Sequence, residues 1–128
     1  MSLEQAIQAR WAGDGTLSAL VPPSRFITGK LLGGATLPYA TLSRTGSGGM
    51  TRSSTRLVED VRVRFDVWDA SLDTLKQVAD AAANRFDGQA FSDGGVTVLR
   101  MRRTDQKEAQ ADDGTWRLTL DFVAKVEQ

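Results

Sequence analysis

The chain has 128 residues, 16 basic residues balanced by 16 acidic ones, no cysteine and no histidine. That length fits one domain with a sizeable core and is too short for two, and the 41% apolar and 25% charged content is that of an ordinary soluble globular domain. The missing residue types exclude disulfides, thiolate metal sites, His-based metal centres and Ser-His-Asp or Cys-His catalysis, leaving carboxylate chemistry, Ser–Lys dyads and hard-metal binding through oxygen. Charge neutrality gives no global pull toward nucleic acid and little self-repulsion to keep copies apart.

The amino terminus, Met1-Ser2-Leu3-Glu4-Gln5, lacks the basic start and apolar stretch of a signal peptide. No apolar run approaches the roughly 20 residues of a membrane span. The expectation is a soluble protein made in a cytoplasm.

Residues 2–12 read as an amphipathic helix, capped by Ser2, with Leu3, Ala6, Ile7 and Trp11 on one face. Gly13-Asp14-Gly15 stops it. Thr16 starts a short second turn carrying Leu17, Leu20 and Val21, ended by Pro22-Pro23. Residues 25–28 suit a short extended segment, Gly33-Gly34 and Pro38 mark a loop, and Tyr39 to Ser43 reads as a strand. From Arg44 to Arg56 the chain has three glycines, no acid and no core pattern, which reads as a long flexible loop, either a mobile hairpin loop or a disordered tip.

Val61, Val63, Phe65 and Val67 alternate with Arg62, Arg64, Asp66 and Trp68, a period of two that requires one buried face. Ser71 then caps a helix whose stripe is Leu72, Leu75, Val78, Ala79, Ala82 and Phe86, with Asp73 in the first turn where the helix dipole favours an acid. Asp87-Gly88 ends it. Ser92 to Gly95 is a turn and Val96 to Arg103 a strand. Thr104 to Gly114 reads as a hairpin end with Asp113-Gly114 as its turn signal, and Trp116 to Val126 is the last alternating strand. The simplest packing is one α+β domain over residues 1–128: an antiparallel or mixed sheet of four to five strands with two helices packed on one face.

The sheet's other face carries Arg62, Arg64, Asp66, Arg117, Thr119 and Asp121. It is either a solvated surface of cross-strand ion pairs or a surface that meets a neighbouring subunit or lines a channel. Trp68 among these charges either marks an interface or tucks under the turn at Asp69. Gly46-Ser47-Gly48-Gly49 is no P-loop, since no Lys-Ser/Thr pair and no helix pattern follow. Asp105, Glu108, Asp112 and Asp113 are candidate ligands for calcium or magnesium, but they lack the spacing of an EF-hand loop and have Lys107 among them, and a charged hairpin end explains them as well. Lys30, Lys76, Lys107 and Lys125 show no local pattern of a Ser–Lys pair. No catalytic, cofactor or metal constellation emerges, and the expectation is a protein that is not an enzyme.

Four stretches carry a resemblance: the opening helix with Leu17-Ser18-Ala19-Leu20-Val21 and Arg25-Phe26-Ile27; Leu37-Pro38-Tyr39-Ala40-Thr41-Leu42; Val61 to Trp68 leading through Ser71 into the long helix; and Trp116 to Phe122. Together they make the chain resemble the tail-completion, or tail-terminator, proteins of long-tailed bacteriophages and prophages. The resemblance implies a virion structural protein that forms a ring, usually a hexamer, at the head-proximal end of the tail tube. Such a ring ends tube polymerisation and offers the surface for head–tail joining. Its implied partners are other copies of itself, the tail tube protein and a head–tail connector or neck protein. DNA passes through the lumen without sequence-specific binding, no cofactor is used, no membrane is involved, and assembly takes place in the host cytoplasm.

In that frame Arg44, Met50, Arg52 and Arg56 of the loop are the expected contacts to a neighbour, with Met50 as an adaptable apolar anchor. Arg62, Arg64, Trp68 and Arg117 are the expected interface or lumen face. Rival readings are a head-side neck or stopper connector, a tail tube protein and, from another class, a small-molecule-binding α+β domain.

Overall fold

Ser2 opens the first helix, α1 (Leu3–Ala12), with a reciprocal capping box: its hydroxyl accepts from the Gln5 N–H at 3.2 Å, and the Gln5 side chain accepts from the Ser2 N–H at 2.9 Å. The computed structural model describes residues 2–29, 36–52 and 57–127, and at 47–49 and 51 the backbone alone. Leu3, Ala6, Ile7 and Trp11 are buried, the stripe that the periodicity requires. Asp14 caps α2 (Gly15–Leu20) by accepting from the Thr16 and Leu17 N–H groups at 2.9 and 3.1 Å. A 3-10 turn at Pro23–Arg25 then leads into β1 (Phe26–Thr28).

The remaining elements are β2 (Tyr39–Arg52), β3 (Leu57–Asp69), α3 (Leu72–Phe86), β4 (Gln89–Asp93), β5 (Val96–Gln110) and β6 (Trp116–Glu127). Ser71 caps α3, accepting from the Thr74 N–H at 3.3 Å. Gly88, at φ +73°, lets the chain reverse after α3, and its N–H donates to the Met101 carbonyl at 2.7 Å. The six strands form one sheet in the order β1-β2-β3-β6-β5-β4, antiparallel throughout except for the parallel β1–β2 pair.

The α+β class and the mixed sheet agree with expectation, but the sheet has six strands and the described residues hold three α-helices, against the expected four to five and two. The extra strand is β4, whose five residues include one half-buried apolar side chain, Phe91, and so show no alternation. The extra helix is α2, which at six residues is too short to display a period of 3.6.

A second correction concerns the stretch from Arg44 to Arg56. It is no loop through Arg52: β2 continues to that residue, paired with β3 from Tyr39↔Trp68 to Arg52↔Leu57. Two bulges, between Arg44 and Gly46 and between Ser47 and Gly49, take up the extra residues. Residues 53–56, with Arg56, lie outside the described residues. The Thr104–Gly114 hairpin end is likewise mostly strand, since β5 continues to Gln110 opposite Trp116. Both stretches hide from pattern reading because their described side chains are largely exposed. Backbone pairing makes these strands, and hydrophobic alternation does not report it.

The core lies between the helices and the inner sheet face. Trp11 sits 4.3 Å from Phe26 and 5.9 Å from Phe65, centroid to centroid, and Phe65 continues the cluster to Phe86 and Phe122 at 5.3 and 5.2 Å. Ala40, Leu42, Val61, Val63, Val67, Leu118, Leu120 and Ala124 fill the sheet side of the same cluster. Burying each large side chain of this kind stabilises the fold by about 1.5–3 kcal/mol before entropy is counted. The Trp11 indole N–H donates to the Val21 carbonyl at 3.1 Å, and among the described residues no buried side-chain polar atom lacks a partner.

Candidate functional site

With three helices on the inner side, the outer side of β2, β3, β6 and β5 is left uncovered by the described chain, and the register decides what it displays. Trp68 stands opposite Arg117, Asp66 opposite Thr119, Arg64 opposite Asp121, and Arg62 opposite Val123. On β5, Arg102 pairs with Val123 and Arg100 with Lys125, extending the same row. The expected residues Arg62, Arg64, Trp68 and Arg117 therefore share one face.

Part of this face is neutralised within the chain. Arg64 clamps Asp121 through Nε to Oδ1 at 2.8 Å and Nη2 to Oδ2 at 3.4 Å. That hydrogen bond and the Asp121 charge raise the Arg64 pKa above its ordinary value. The Thr119 hydroxyl donates to Asp66 at 2.6 Å, and Lys125 lies 3.3 Å from Asp60. Arg62, Arg100, Arg102 and Arg117 have no carboxylate within ion-pair distance among the described residues. A neutral chain thus carries a locally cationic face.

At one end of that face Tyr39 stacks on Trp68, with ring centroids 4.9 Å apart and planes 23° apart. Both rings are half-buried, and each is partly covered by the other. Beside Arg117 it makes an aromatic and guanidinium surface, the residue types that dominate protein–protein hot spots. The depressions along this face are open and polar. One of about 510 Å³ is lined by Thr45, Arg62, Arg64, Arg102, Thr104, Asp121, Phe122 and Val123. Such a surface recognises another macromolecule more readily than it encloses a small one.

The other expected residues separate. Arg44 turns to the helix side of β2 and pairs with Glu4 of α1, its Nη2 lying 3.4 Å from Oε2. Met50 is 63% exposed, far along β2, and Arg52 is exposed beside it. Gly46-Ser47-Gly48-Gly49 lies inside β2 and not at a helix N-terminus, so it forms no phosphate cradle. Among the acids considered for a metal, Asp105 lies beside Lys107 at 3.7 Å and Asp113 accepts from the Thr115 N–H at 2.9 Å.

Sequence reading missed Tyr39, Arg100 and Arg102. Tyr39 was visible as a strand start but not as the partner of Trp68, which lies 29 positions away in sequence. The arginines were hidden by a bulge between Val98 and Arg100, which puts both Val98 and Met101 into the core, three residues apart. Strict alternation from Val98 would have pointed Arg100 inward.

The same fold occurs in a chain from a structure described as the virion of a native gene transfer agent particle. The TM-score is 0.81 at 18% identity, covering 99% of this chain and 96% of that one. At that identity the likeness establishes the fold. No curated protein sequence matches significantly. Residues 5–127 match the family described as Tail completion protein gp17, and across nearly its whole length the chain belongs to that family of bacteriophage tail structural proteins.

Proposed function

We propose that this chain forms a closed ring, a hexamer on the family pattern, at the head-proximal end of a tail tube. There it ends tube polymerisation and presents the surface that joins the head. The observation that carries this reading is the family match over residues 5–127. The uncovered outer face supports it, because four arginines without an ion-pair partner among the described residues and an aromatic pair suit contact with macromolecular partners. On this reading Arg62, Arg64, Trp68 and Arg117 face a neighbouring subunit or the lumen, through which DNA passes without sequence recognition. Met50 and Arg52, with Arg56, reach an adjoining subunit or ring, and Arg44 supports them from within its own chain. The partners are further copies, a tail tube protein and a head–tail connector. The protein performs no chemistry and uses no cofactor.

The first experiment is the mass of the purified protein across concentration, followed by electron microscopy with and without tail tubes. Closed species of one defined mass, or tubes capped at one end, are the expected result. Open-ended tubes of this protein alone would make it a tube protein. Binding to purified heads in preference to tubes would make it a neck or stopper connector.

A further inference from the structure

Among the described residues, two long strands of this sheet are each covered along only part of their outer edge. β1 pairs with β2 from Ala40 to Leu42, and Gly29 donates to the Leu42 carbonyl at 2.8 Å; beyond Arg44, no described strand lies against the outer side of β2. β4 pairs with β5 from Val96 to Met101, and Asp87 accepts from the Arg103 N–H at 3.0 Å; from Thr104 onward, no described strand lies against the outer side of β5. The free edges Thr45–Arg52 and Thr104–Gln110 are similar in length, about 20–25 Å at the usual rise. They occupy diagonally opposite corners of the sheet, since β2 frees its edge near Leu57 and Glu127 and β5 near Asp69 and Trp116.

The edges also differ in charge. Residues 45–52 contain Arg52 and no acid, whereas 104–114 hold Asp105, Glu108, Asp112 and Asp113 against Lys107. Two β5 edges would bring like charges together. A β2 edge against a β5 edge would not.

We propose that these edges are the two halves of one subunit contact: Thr45–Arg52 of one copy adds antiparallel to Thr104–Gln110 of the next, so that the sheet continues from copy to copy. This rests on the ring reading above and specifies its interface. The contact is heterologous, using two different patches, which is the kind that closes into rings. Strand direction agrees, because β2 and β5 run antiparallel within the sheet, and copies related by rotation about an axis near the strand direction keep that relation. The diagonal offset becomes the stagger that strands tilted to a ring axis require. β4 and β1 act as stops at the two ends of the shared segment. The bulges of β2 and the charges of β5 deter indiscriminate pairing and leave the complementary edge as the favoured partner.

The test uses the natural absence of cysteine. Three double variants, Thr45→Cys with Gln110→Cys, Met50→Cys with Gln106→Cys, and Arg52→Cys with Thr104→Cys, are oxidised after assembly is scored by mass and microscopy. A control pair, Ile27→Cys with Ser92→Cys, places thiols on the two short edge strands. The expected result is a disulfide ladder ending at the ring mass for at least one β2–β5 pair, about tenfold or more above the control, with each single cysteine variant unlinked. Rings that form without any β2–β5 cross-link would overturn this contact and leave the ring reading standing. Dimers from single cysteine variants would replace it with a two-fold contact. Absence of rings and capped tubes in every variant and in the parent would overturn both.

Discussion

Glu4 stands in the first turn of α1, where its carboxylate meets both the helix dipole and the guanidinium of Arg44 on β2. The hydrogen bond from Arg44 lowers the Glu4 pKa below the ordinary 4.5, and partial burial opposes that shift. A carboxylate whose pKa is depressed by folding contributes stability above its unfolded value and loses it as pH falls through the folded one. Because the Arg44 side chain is 47% exposed, solvent screening keeps the contribution of the pair to about 0.5–1 kcal/mol. Glu4→Gln is therefore expected to lower the melting temperature near neutral pH. Thermal scans at successively lower pH should show the difference from the parent closing below 4.5. A difference that persists unchanged into acid would mean that the pair contributes through packing and not charge. The same contact explains why an arginine expected to reach a neighbour serves its own helix layer.

At the scale of elements, Trp11 joins α1, the end of α2 and the sheet. Its ring touches Phe26 and Phe65, and its N–H satisfies the Val21 carbonyl in the interior. Replacing Trp11 by Phe keeps an aromatic ring but removes volume and leaves that carbonyl without its donor. The unsatisfied acceptor alone costs about 1–3 kcal/mol, and the incomplete filling adds to it. Urea unfolding should show a loss of about 2–4 kcal/mol with an unchanged slope, because the fold and its buried surface stay the same. A loss under about 1 kcal/mol would mean that a water or a repacked side chain has taken over the bond.

For the whole molecule, overall neutrality conceals segregation: four arginines with no carboxylate partner among the described residues share the outer face, and acids gather at the β5–β6 hairpin. Attraction between such regions on different copies weakens as salt shortens the Debye length. Trp68 gives a sharper probe, because its stack on Tyr39 is half-exposed. Trp68→Ala is expected to reduce monomer stability by about 1 kcal/mol and to weaken assembly about tenfold or more. Denaturant titration at low concentration would read the first and sedimentation across concentration the second. Equal loss of both would make the pair a structural feature of one subunit.

The sequence by itself determined the inner face of this protein. Leu3, Ala6, Ile7 and Trp11, the Val61–Val67 alternation, and the Leu75–Phe86 stripe repeat at periods that only burial on one side explains. It also set Arg62, Arg64, Trp68 and Arg117 on the sides of their strands opposite the apolar rows, while the β3–β6 register made them neighbours. The family resemblance was legible in the same residues. Tertiary structure alone decided the rest. The distal halves of β2 and β5 are strands through backbone pairing, which leaves no hydrophobic signature, and a bulge sets the direction of Arg100 and Arg102. Arg44 depends on Glu4, 40 positions away, and Tyr39 on Trp68. Local sequence encodes which side of an element is apolar; which distant element it meets is fixed only when the sheet closes its register.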